Sequence, residues 1–174
     1  MKNQIKAKDF ILRPFRKGDE FSLVKNINDK EIIRKTLIPF FPYKLKNAKD
    51  WVALNLKEDR KKKPKMINFV IDINGEVAGS IGFTRIIEKN QAMVGYWLAR
   101  KFWNKGTMTK ATKLITKFGF DKLGYKRIYG FVFSFNKPSM KVLRKSGYKF
   151  EGILRKNTKK GNRFIDDYLF AKVK

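Results

Sequence analysis

Three apolar stretches in the middle of the chain are separated by tight turns. They read MINFVIDI (66–73), EVAGSIGFTRII (76–87) and QAMVGYWLA (91–99), and the turns fall at residues 74–75 and around residues 89–90. β-Branched and aromatic residues are frequent in these stretches, which favours strands over helices. Because turns this short reverse the chain direction, the pattern predicts a three-stranded antiparallel meander.

The pattern changes after residue 106. Apolar residues then recur every three or four positions until Gly124, which is typical of an amphipathic helix over 107–124. The residues that mark this spacing are Met108, Ala111, Leu114, Ile115, Phe118 and Leu123. Beyond this helix the sequence predicts a strand over 127–135, a short helix over 137–147, and two closing strands over 148–156 and 163–173.

The N-terminal third reads as one strand followed by helices. FILRPF (10–15) predicts a short strand, and helical patterns follow over 18–29, 30–37 and 47–63, with the two prolines of IPFFPY (38–43) breaking the run. With 174 residues and 43% hydrophobic content, the chain is long enough for one domain with a sizeable core. We therefore expect a single α+β domain over residues 1–174.

The composition limits the available chemistry. The chain contains no cysteine and no histidine, so disulfides, thiolate nucleophiles and imidazole bases are excluded and no metal site is expected. No run of about 18 uncharged apolar residues occurs, and the N-terminus lacks the apolar segment of a signal peptide. The expected location is the cytoplasm.

The charge is strongly basic, with 42 Lys and Arg against 15 Asp and Glu and a formal net charge of +27. Residues 89–150 hold fifteen basic residues but a single acid, Asp121. Such a surface favours a multiply charged anion, because nearby carboxylates would repel it. Two explanations stay open: a functional basic surface close to nucleic acid or the ribosome, and a general lysine bias in the composition.

Several motifs, in one order, resemble a known enzyme family. EVAGSIGF, VGYWLARKFWNKGTMTKA, FSFNKPSMKVLRKSGYKFEG and GNRFIDDYLFAKV together are similar to the GNAT superfamily of acetyl-CoA-dependent N-acetyltransferases. The GYW strand, the NxxS helix start and the G-x-R-[FY]-x-D hairpin most resemble the subgroup that acetylates ribosomal-protein N-termini. The resemblance implies a mixed, mostly antiparallel sheet of about seven strands, splayed between strands four and five and flanked by helices.

The resemblance assigns the segment around Gly106 to coenzyme A. The family's R/Q-x-x-G-x-G/A loop holds the pyrophosphate through backbone N–H groups, and Trp103, Gly106 and Met108 occupy its marked positions here. Trp103 and Met108 depart from the family pattern, which backbone binding tolerates. Free N–H groups at a helix start bind anions, and a glycine lets the phosphate approach. The expected cofactor contacts in this loop are Asn104, Lys105, Gly106, Thr107, Met108 and Thr109.

The strand VGYWLA (94–99) is expected to supply the second half of the site. By resemblance, backbone groups of Leu98 and Ala99 pair with the pantetheine arm of the cofactor, which completes an otherwise unpaired strand. The Leu98 N–H then polarises the thioester carbonyl. Tyr96 and Trp97 are interpreted as groove wall and core.

Asn136 and Ser139 begin the next predicted helix. Their spacing in NKPS is typical of turn and cap residues. The resemblance adds that Asn136 contacts the pantetheine arm and that Ser139 donates a proton to the leaving thiolate. Ser139 and Leu98 are therefore the expected catalytic residues. Three basic residues of the same helix are expected near the nucleotide end of the cofactor: Lys141, Arg144 and Lys145.

No general base is evident in the sequence. Many relatives carry Glu in the strand position that Met93 occupies, and a methionine cannot accept a proton. At pH 7 an α-amine is roughly 10% neutral and a lysine amine far less, so an α-amine needs less help to react. Glu151 and Asp166 are the carboxylates considered as proton acceptors through water.

The leading hypothesis is acetyl transfer from acetyl-CoA to a primary amine, above all the N-terminal α-amine of a ribosomal or other nucleic-acid-associated protein. One alternative keeps the cofactor but acetylates a small amine. The other is a non-catalytic basic module bound to RNA or the ribosome. Phe131, Phe133 and Phe135 alternate on one strand, as a base-stacking face would require, although core packing is their expected role.

Overall fold

The computed structural model describes residues 4–39, 41–87 and 90–174. Within these residues the strands are β1 (Ile5–Lys6), β2 (Ile11–Arg13), β3 (Ile67–Ile73), β4 (Glu76–Ile87), β5 (Gln91–Leu98), β6 (Arg127–Phe133), β7 (Lys149–Lys160) and β8 (Arg163–Val173). The α-helices are α1 (Asp19–Ile27), α2 (Lys30–Arg34), α3 (Leu45–Asp59), α4 (Thr107–Asp121) and α5 (Lys137–Lys145). A turn of 3₁₀ helix, Arg100–Phe102, follows β5.

The described strands form one sheet in the order β1-β2-β3-β4-β5-β6-β8-β7. Every neighbouring pair is antiparallel except β5 and β6, which run parallel. The predicted meander is confirmed as β3, β4 and β5, although Lys89 in its second turn lies outside the described residues. The expected mixed, mostly antiparallel α+β fold is therefore confirmed.

The sheet has one strand more than the sequence pattern predicts. The additional strand is β1, which pairs only Ile5 and Lys6 with β2 and is too short to leave a periodic signal. Counting it moves the parallel junction from strands four and five to strands five and six. The neighbours at the junction are the same segments that the resemblance implied.

Helices cover both faces of the sheet. Helices α4 and α5 pack on one face around a core that includes Phe69, Ile128 and Leu143. Helices α1 to α3 cover the other face over β3 and β4. Gly119 explains how closely α4 approaches, because a Cβ there would meet Ile128 and Phe83 side-chain atoms at 2.8 Å. No helix in the described ranges is long and apolar enough to span a membrane.

The parallel junction between β5 and β6 opens into a gap. Pairing is limited to Gln91 with Arg127, Ala92 with Ile128 and Met93 with Tyr129. Beyond Met93, strand β5 continues to Leu98 and β6 continues to Phe133 without further pairing to each other. The backbone edges that face this gap lack the sheet partner that a continuous ladder would provide, so the gap is a place where an extended ligand can pair.

Candidate active site

The loop before α4 exposes backbone N–H groups next to the gap. Gly106 is the residue that precedes α4 and adopts a left-handed conformation, with φ of 74°. No atom lies within 4 Å of a Cβ built on Gly106, so the space beside it is open. The first helical bond runs from the Lys110 N–H to the Gly106 carbonyl, which leaves the amides of Thr107, Met108 and Thr109 outside the helical ladder.

These amides form a site suited to a phosphate group. The helix start carries a partial positive charge, and no side chain caps it within the described chain. The Thr107 and Met108 side chains are buried, so at the helix start these two residues present backbone groups rather than side chains. Asn104 and Lys105 are exposed at the loop surface. The structure thus brings the predicted loop residues together at the mouth of the gap.

Trp103 has a role that sequence reasoning missed. Its indole Nε1–H donates to the Leu98 carbonyl at 2.7 Å, which ties the end of β5 to the loop. The Lys35 ammonium lies 4.8 Å from the ring centroid and is also paired with Glu31. A tryptophan in place of the family's Arg or Gln therefore acts as a structural link between strand and loop. The only sequence signal for it was the departure itself.

Of the two β5 residues expected to meet the cofactor, only Leu98 presents its amide to the gap. The Ala99 N–H donates to the Ala78 carbonyl at 2.8 Å, and the Ala99 carbonyl accepts from the Phe102 N–H at 2.9 Å. In an antiparallel pair, consecutive residues direct their backbone groups to opposite edges. The Leu98 N–H therefore points away from β4, toward β6. Pairing through Ala99 would have to compete with bonds that the protein already makes.

Asn136 and Ser139 combine the cap role with a place beside the gap. Asn136 precedes α5, and its Oδ1 accepts from the Ser139 N–H at 3.3 Å, as the turn-and-cap interpretation predicts. Its Nδ2 donates to the Lys35 carbonyl at 3.4 Å, which connects α5 to the end of α2. The Asn136 amide is thus committed to protein contacts on both sides.

Tyr96 contacts the Ser139 hydroxyl. The sequence predicts only a groove-wall role for Tyr96, so this contact was missed. The phenol oxygen of Tyr96 lies 2.9 Å from Ser139 Oγ and donates toward the Ser139 carbonyl at 3.3 Å. Burial raises the pKa of the Tyr96 phenol, so this group keeps its proton. The Ser139 hydroxyl therefore has a neighbouring hydroxyl partner on the strand that carries Leu98, and either group can donate in this contact.

The basic residues of α5 differ in where they point. Ser146, just beyond α5, donates through Oγ toward the Thr109 carbonyl at 3.4 Å, so the end of α5 lies beside the first turn of α4. Lys141 and Lys145 are exposed. Arg144 is exposed as well, and its guanidinium also lies 5.7 Å from the ring centroid of Phe170 on β8. All three basic residues are therefore accessible to an anion in solution, and Arg144 has in addition a contact with the Phe170 ring.

Neither carboxylate considered as a proton acceptor is free at the gap. Glu151 forms an ion pair with Arg127. Arg127 lies opposite Gln91 where β5 and β6 still pair, so Glu151 is at the closed end of the gap. Asp166 accepts from the Lys156 N–H at 2.7 Å. Asp167, the next residue, is 1% exposed, and the sequence gives no signal for the burial of this aspartate.

A groove of about 490 Å³ lies between the end of α2 and the β7–β8 hairpin. Its lining includes Arg34, Ser134, Phe135, Lys160, Arg163 and Asp166. The Lys160 ammonium donates to the Ile33 and Thr36 carbonyls, which holds the hairpin against α2. Burial, together with the Arg34 charge, lowers the pKa of Lys160. Because Ser134 follows β6 directly, the groove opens beside the gap.

The gap, the helix start and the Ser139 hydroxyl lie together where the sheet splits between β5 and β6. The sequence profile described as "Acetyltransferase (GNAT) domain" matches residues 9–149. This chain belongs to that family, which confirms the resemblance. Residues 9–149 are thus an acyltransferase domain of a family whose acetyl donor is acetyl-CoA, as the sequence analysis expected.

Individual relatives agree with this assignment. The "Uncharacterized N-acetyltransferase p20" of Bacillus licheniformis is 35% identical over 108 residues, which cover 62% of this chain and 61% of that protein. The match therefore spans less than two thirds of that relative's length. A GNAT-family acetyltransferase from Bacillus anthracis is 25% identical and superimposes with a TM-score of 0.85, covering 98% of both chains.

A second similar structure contains coenzyme A. It is RimL, a ribosomal L7/L12 alpha-N-protein acetyltransferase solved in complex with coenzyme A. It superimposes with a TM-score of 0.85 over 98% of both chains at 20% identity. At this identity the likeness concerns the fold.

Proposed function

We propose that this protein transfers the acetyl group of acetyl-CoA to the N-terminal α-amine of a protein, as the ribosomal-protein acetyltransferases do. The observation that carries the proposal is the open space on the sheet face turned away from α4 and α5. Gly95 on β5 is exposed, and no atom lies within 4 Å of a Cβ built there. An opening of this kind, continuous with the gap, suits the end of a polypeptide.

In this proposal the cofactor binds through the backbone. The amides of residues 107–109 and the open space at Gly106 receive the pyrophosphate. Leu98 offers its N–H to the pantetheine arm or to the thioester oxygen, where negative charge develops as the amine attacks. Asn104 and Lys105 flank the phosphates at the surface, and Lys141 and Lys145 attract the nucleotide end. Arg144 and Ala99 are assigned lesser parts because other contacts engage them.

Proton transfer to the leaving group is assigned to Ser139. The Ser139 hydroxyl gives its proton to the thiolate as the C–S bond breaks, and it regains a proton from the Tyr96 phenol, 2.9 Å away, which is reprotonated from solvent. The raised pKa of Tyr96 keeps this support in its protonated form at neutral pH. Asn136 fixes the start of α5 and hence the position of Ser139.

A second candidate function is acetylation of a small amine that carries negative charge. Arg34, Lys160 and Arg163 line the groove, against Asp166 as its acid. Such a lining favours a carboxylate or phosphate on the acceptor. The base-stacking alternative is less favoured, because Phe133 is only 6% exposed. Proximity to the ribosome stays a proposal that rests on the +27 charge.

The test is an acceptor panel. Purified protein is incubated with acetyl-CoA and, separately, with peptides that begin with Ser, Ala or Met, with the same peptides carrying a blocked N-terminus, and with small amines bearing a carboxylate or phosphate. Release of free thiol and gain in acceptor mass are measured. We expect turnover with free N-termini and none with the blocked peptides. Turnover with the small amines alone would overturn the proposed substrate class.

A further inference from the structure

The Asp167 side chain on β8 has one carboxylate oxygen without a partner. Asp167 is 1% exposed, and its Oδ2 accepts from Asn157 Nδ2 at 2.8 Å and from Thr158 Oγ1 at 2.5 Å. Within the described chain, Oδ1 receives no hydrogen bond from any protein group. Leaving a buried carboxylate oxygen unpaired costs stability, so such a group calls for a functional or solvent partner.

Asp167 lies level with Leu98 along the strand direction. It is paired across the sheet with Phe133, the last residue of β6. Counted from the last parallel pair, Met93 with Tyr129, Phe133 is four residues along β6 and Leu98 is five along β5. Because both strands rise by about 3.3 Å per residue in the same direction, these positions stand nearly level across the gap.

The carboxylate also lies on the acceptor face of the sheet. Directly opposite residues share a face, and side chains alternate along a strand. Asp167 therefore shares a face with Phe133, and so with Tyr129 on the same strand. Tyr129 lies opposite Met93, so Gly95, two residues beyond Met93 on β5, is on this face as well. This is the face with the open space at Gly95, opposite the face that α4 and α5 cover.

We propose that Asp167 is the proton acceptor for the amine, in the place of the glutamate that β5 lacks. This inference rests on the proposed function. The neutral amine nitrogen forms a bond to the thioester carbonyl carbon, and its acidity then rises sharply. Oδ1 takes one proton from that nitrogen, the C–S bond breaks, and the thiolate takes a proton from the Ser139 hydroxyl. Ser139 recovers a proton from solvent through the Tyr96 phenol, 2.9 Å away, and Asp167 releases the proton that it took to solvent once the product has left.

The surrounding hairpin holds the carboxylate for this task. A register irregularity in β7 between Leu154 and Thr158 brings Asn157 and Thr158 to Oδ2, which leaves Oδ1 as the oxygen without a hydrogen bond within the described chain. The charged groups near Asp167 make contacts with other parts of the protein. Lys160 lies 5.5 Å from the Phe133 ring centroid and donates to the Ile33 carbonyl of α2, and Asp166 accepts from the Lys156 N–H.

The experiment compares Asp167→Asn with Glu151→Gln, which removes the same charge from the neighbouring strand away from the gap. Each variant is assayed with the acceptor of the panel that reacts fastest. If that acceptor is not a peptide, the proposed substrate class is wrong, but the role of Asp167 can still be tested. Coenzyme A affinity is measured by calorimetry and folding by thermal unfolding. We expect Asp167→Asn to lower kcat by about 10²-fold, the lower end of general-base effects, with coenzyme A affinity unchanged.

Chemical rescue separates catalysis from structure. Formate added to Asp167→Ala should restore part of kcat, because a small carboxylate can occupy the vacated position and accept the proton. It should have no effect on Glu151→Gln. Two results would overturn the proposal: kcat of folded Asp167→Asn within about twofold of the unmodified protein, or a loss shared equally by Glu151→Gln.

Discussion

The phenol of Tyr96 and the hydroxyl of Ser139 lie 2.9 Å apart and join strand β5 to helix α5 at the gap. Leu98, two residues beyond Tyr96, directs its N–H toward the same gap. In the proposed mechanism, the donor for the thioester oxygen and the donor for the leaving sulfur are therefore held by one strand and the helix bonded to it. This relationship is the basis for the proton donation that we propose.

Tyr96→Phe should lower kcat about tenfold, the effect of one hydrogen bond of 1 to 1.5 kcal/mol. Ser139→Ala should lower it by about 10²-fold, because the proton donor itself is lost. Steady-state kinetics and calorimetry with coenzyme A measure the two effects. If Tyr96→Phe left kcat intact and weakened coenzyme A binding instead, Tyr96 would be groove wall only.

The pH profile of kcat should stay level to about pH 10, the ordinary pKa of a tyrosine. Burial raises the pKa of Tyr96 in the folded protein above its pKa in the unfolded chain. The phenol therefore stays protonated at every pH below the unfolded pKa, and it loses its proton only as the pH rises through the folded pKa. Tyr96→Phe should give a profile of the same shape at a lower level. An alkaline decline below pH 10 that disappears in Tyr96→Phe would contradict this assignment.

Gly106→Asp should weaken coenzyme A binding by more than tenfold, since it places a side chain and a negative charge against the phosphates. Gly124→Asp is the matched control. Both glycines have φ of 74° and no atom within 4 Å of an added Cβ, and they lie at opposite ends of α4. Calorimetry should show a loss in Gly106→Asp alone, and equal affinities in the two variants would remove the loop from the site.

Binding of coenzyme A should weaken as salt rises, more steeply than binding of dephospho-coenzyme A, because Lys141 and Lys145 attract the additional phosphate. Replacing both lysines with alanine should make the two salt dependences equal. The same replacement of Lys117 on α4 and Lys122 just after it serves as a control for net charge. Equal salt dependences in the unmodified protein would show that these lysines do not read that phosphate.

The sequence predicted what depends on local periodicity and order of motifs. The meander, the α4 helix with Gly106 before it, and the α5 start at Asn136 all carry short-range signals that the structure confirms. The short β1 strand could not be predicted, because its two residues are specified by pairing with β2 rather than by their own pattern.

The missed parts of the site depend on contacts between distant segments. The Tyr96 bond to Ser139 joins residues 43 positions apart, and the Lys160 bond to Ile33 joins residues 127 apart. The spacing of these residues in the sequence does not predict either contact. The burial of Asp167 likewise depends on distant segments, because it results from β6 and the β7 irregularity beside it.

The most direct test uses one peptide that carries both a free N-terminal serine and an internal lysine. After partial reaction with acetyl-CoA, fragment masses locate the acetyl group, and kcat/KM is followed against pH. The account predicts acetylation of the α-amine, with kcat/KM rising to a plateau near the α-amine pKa of about 7.7 to 8.0. Acetyl groups found first on the lysine side chain would contradict it.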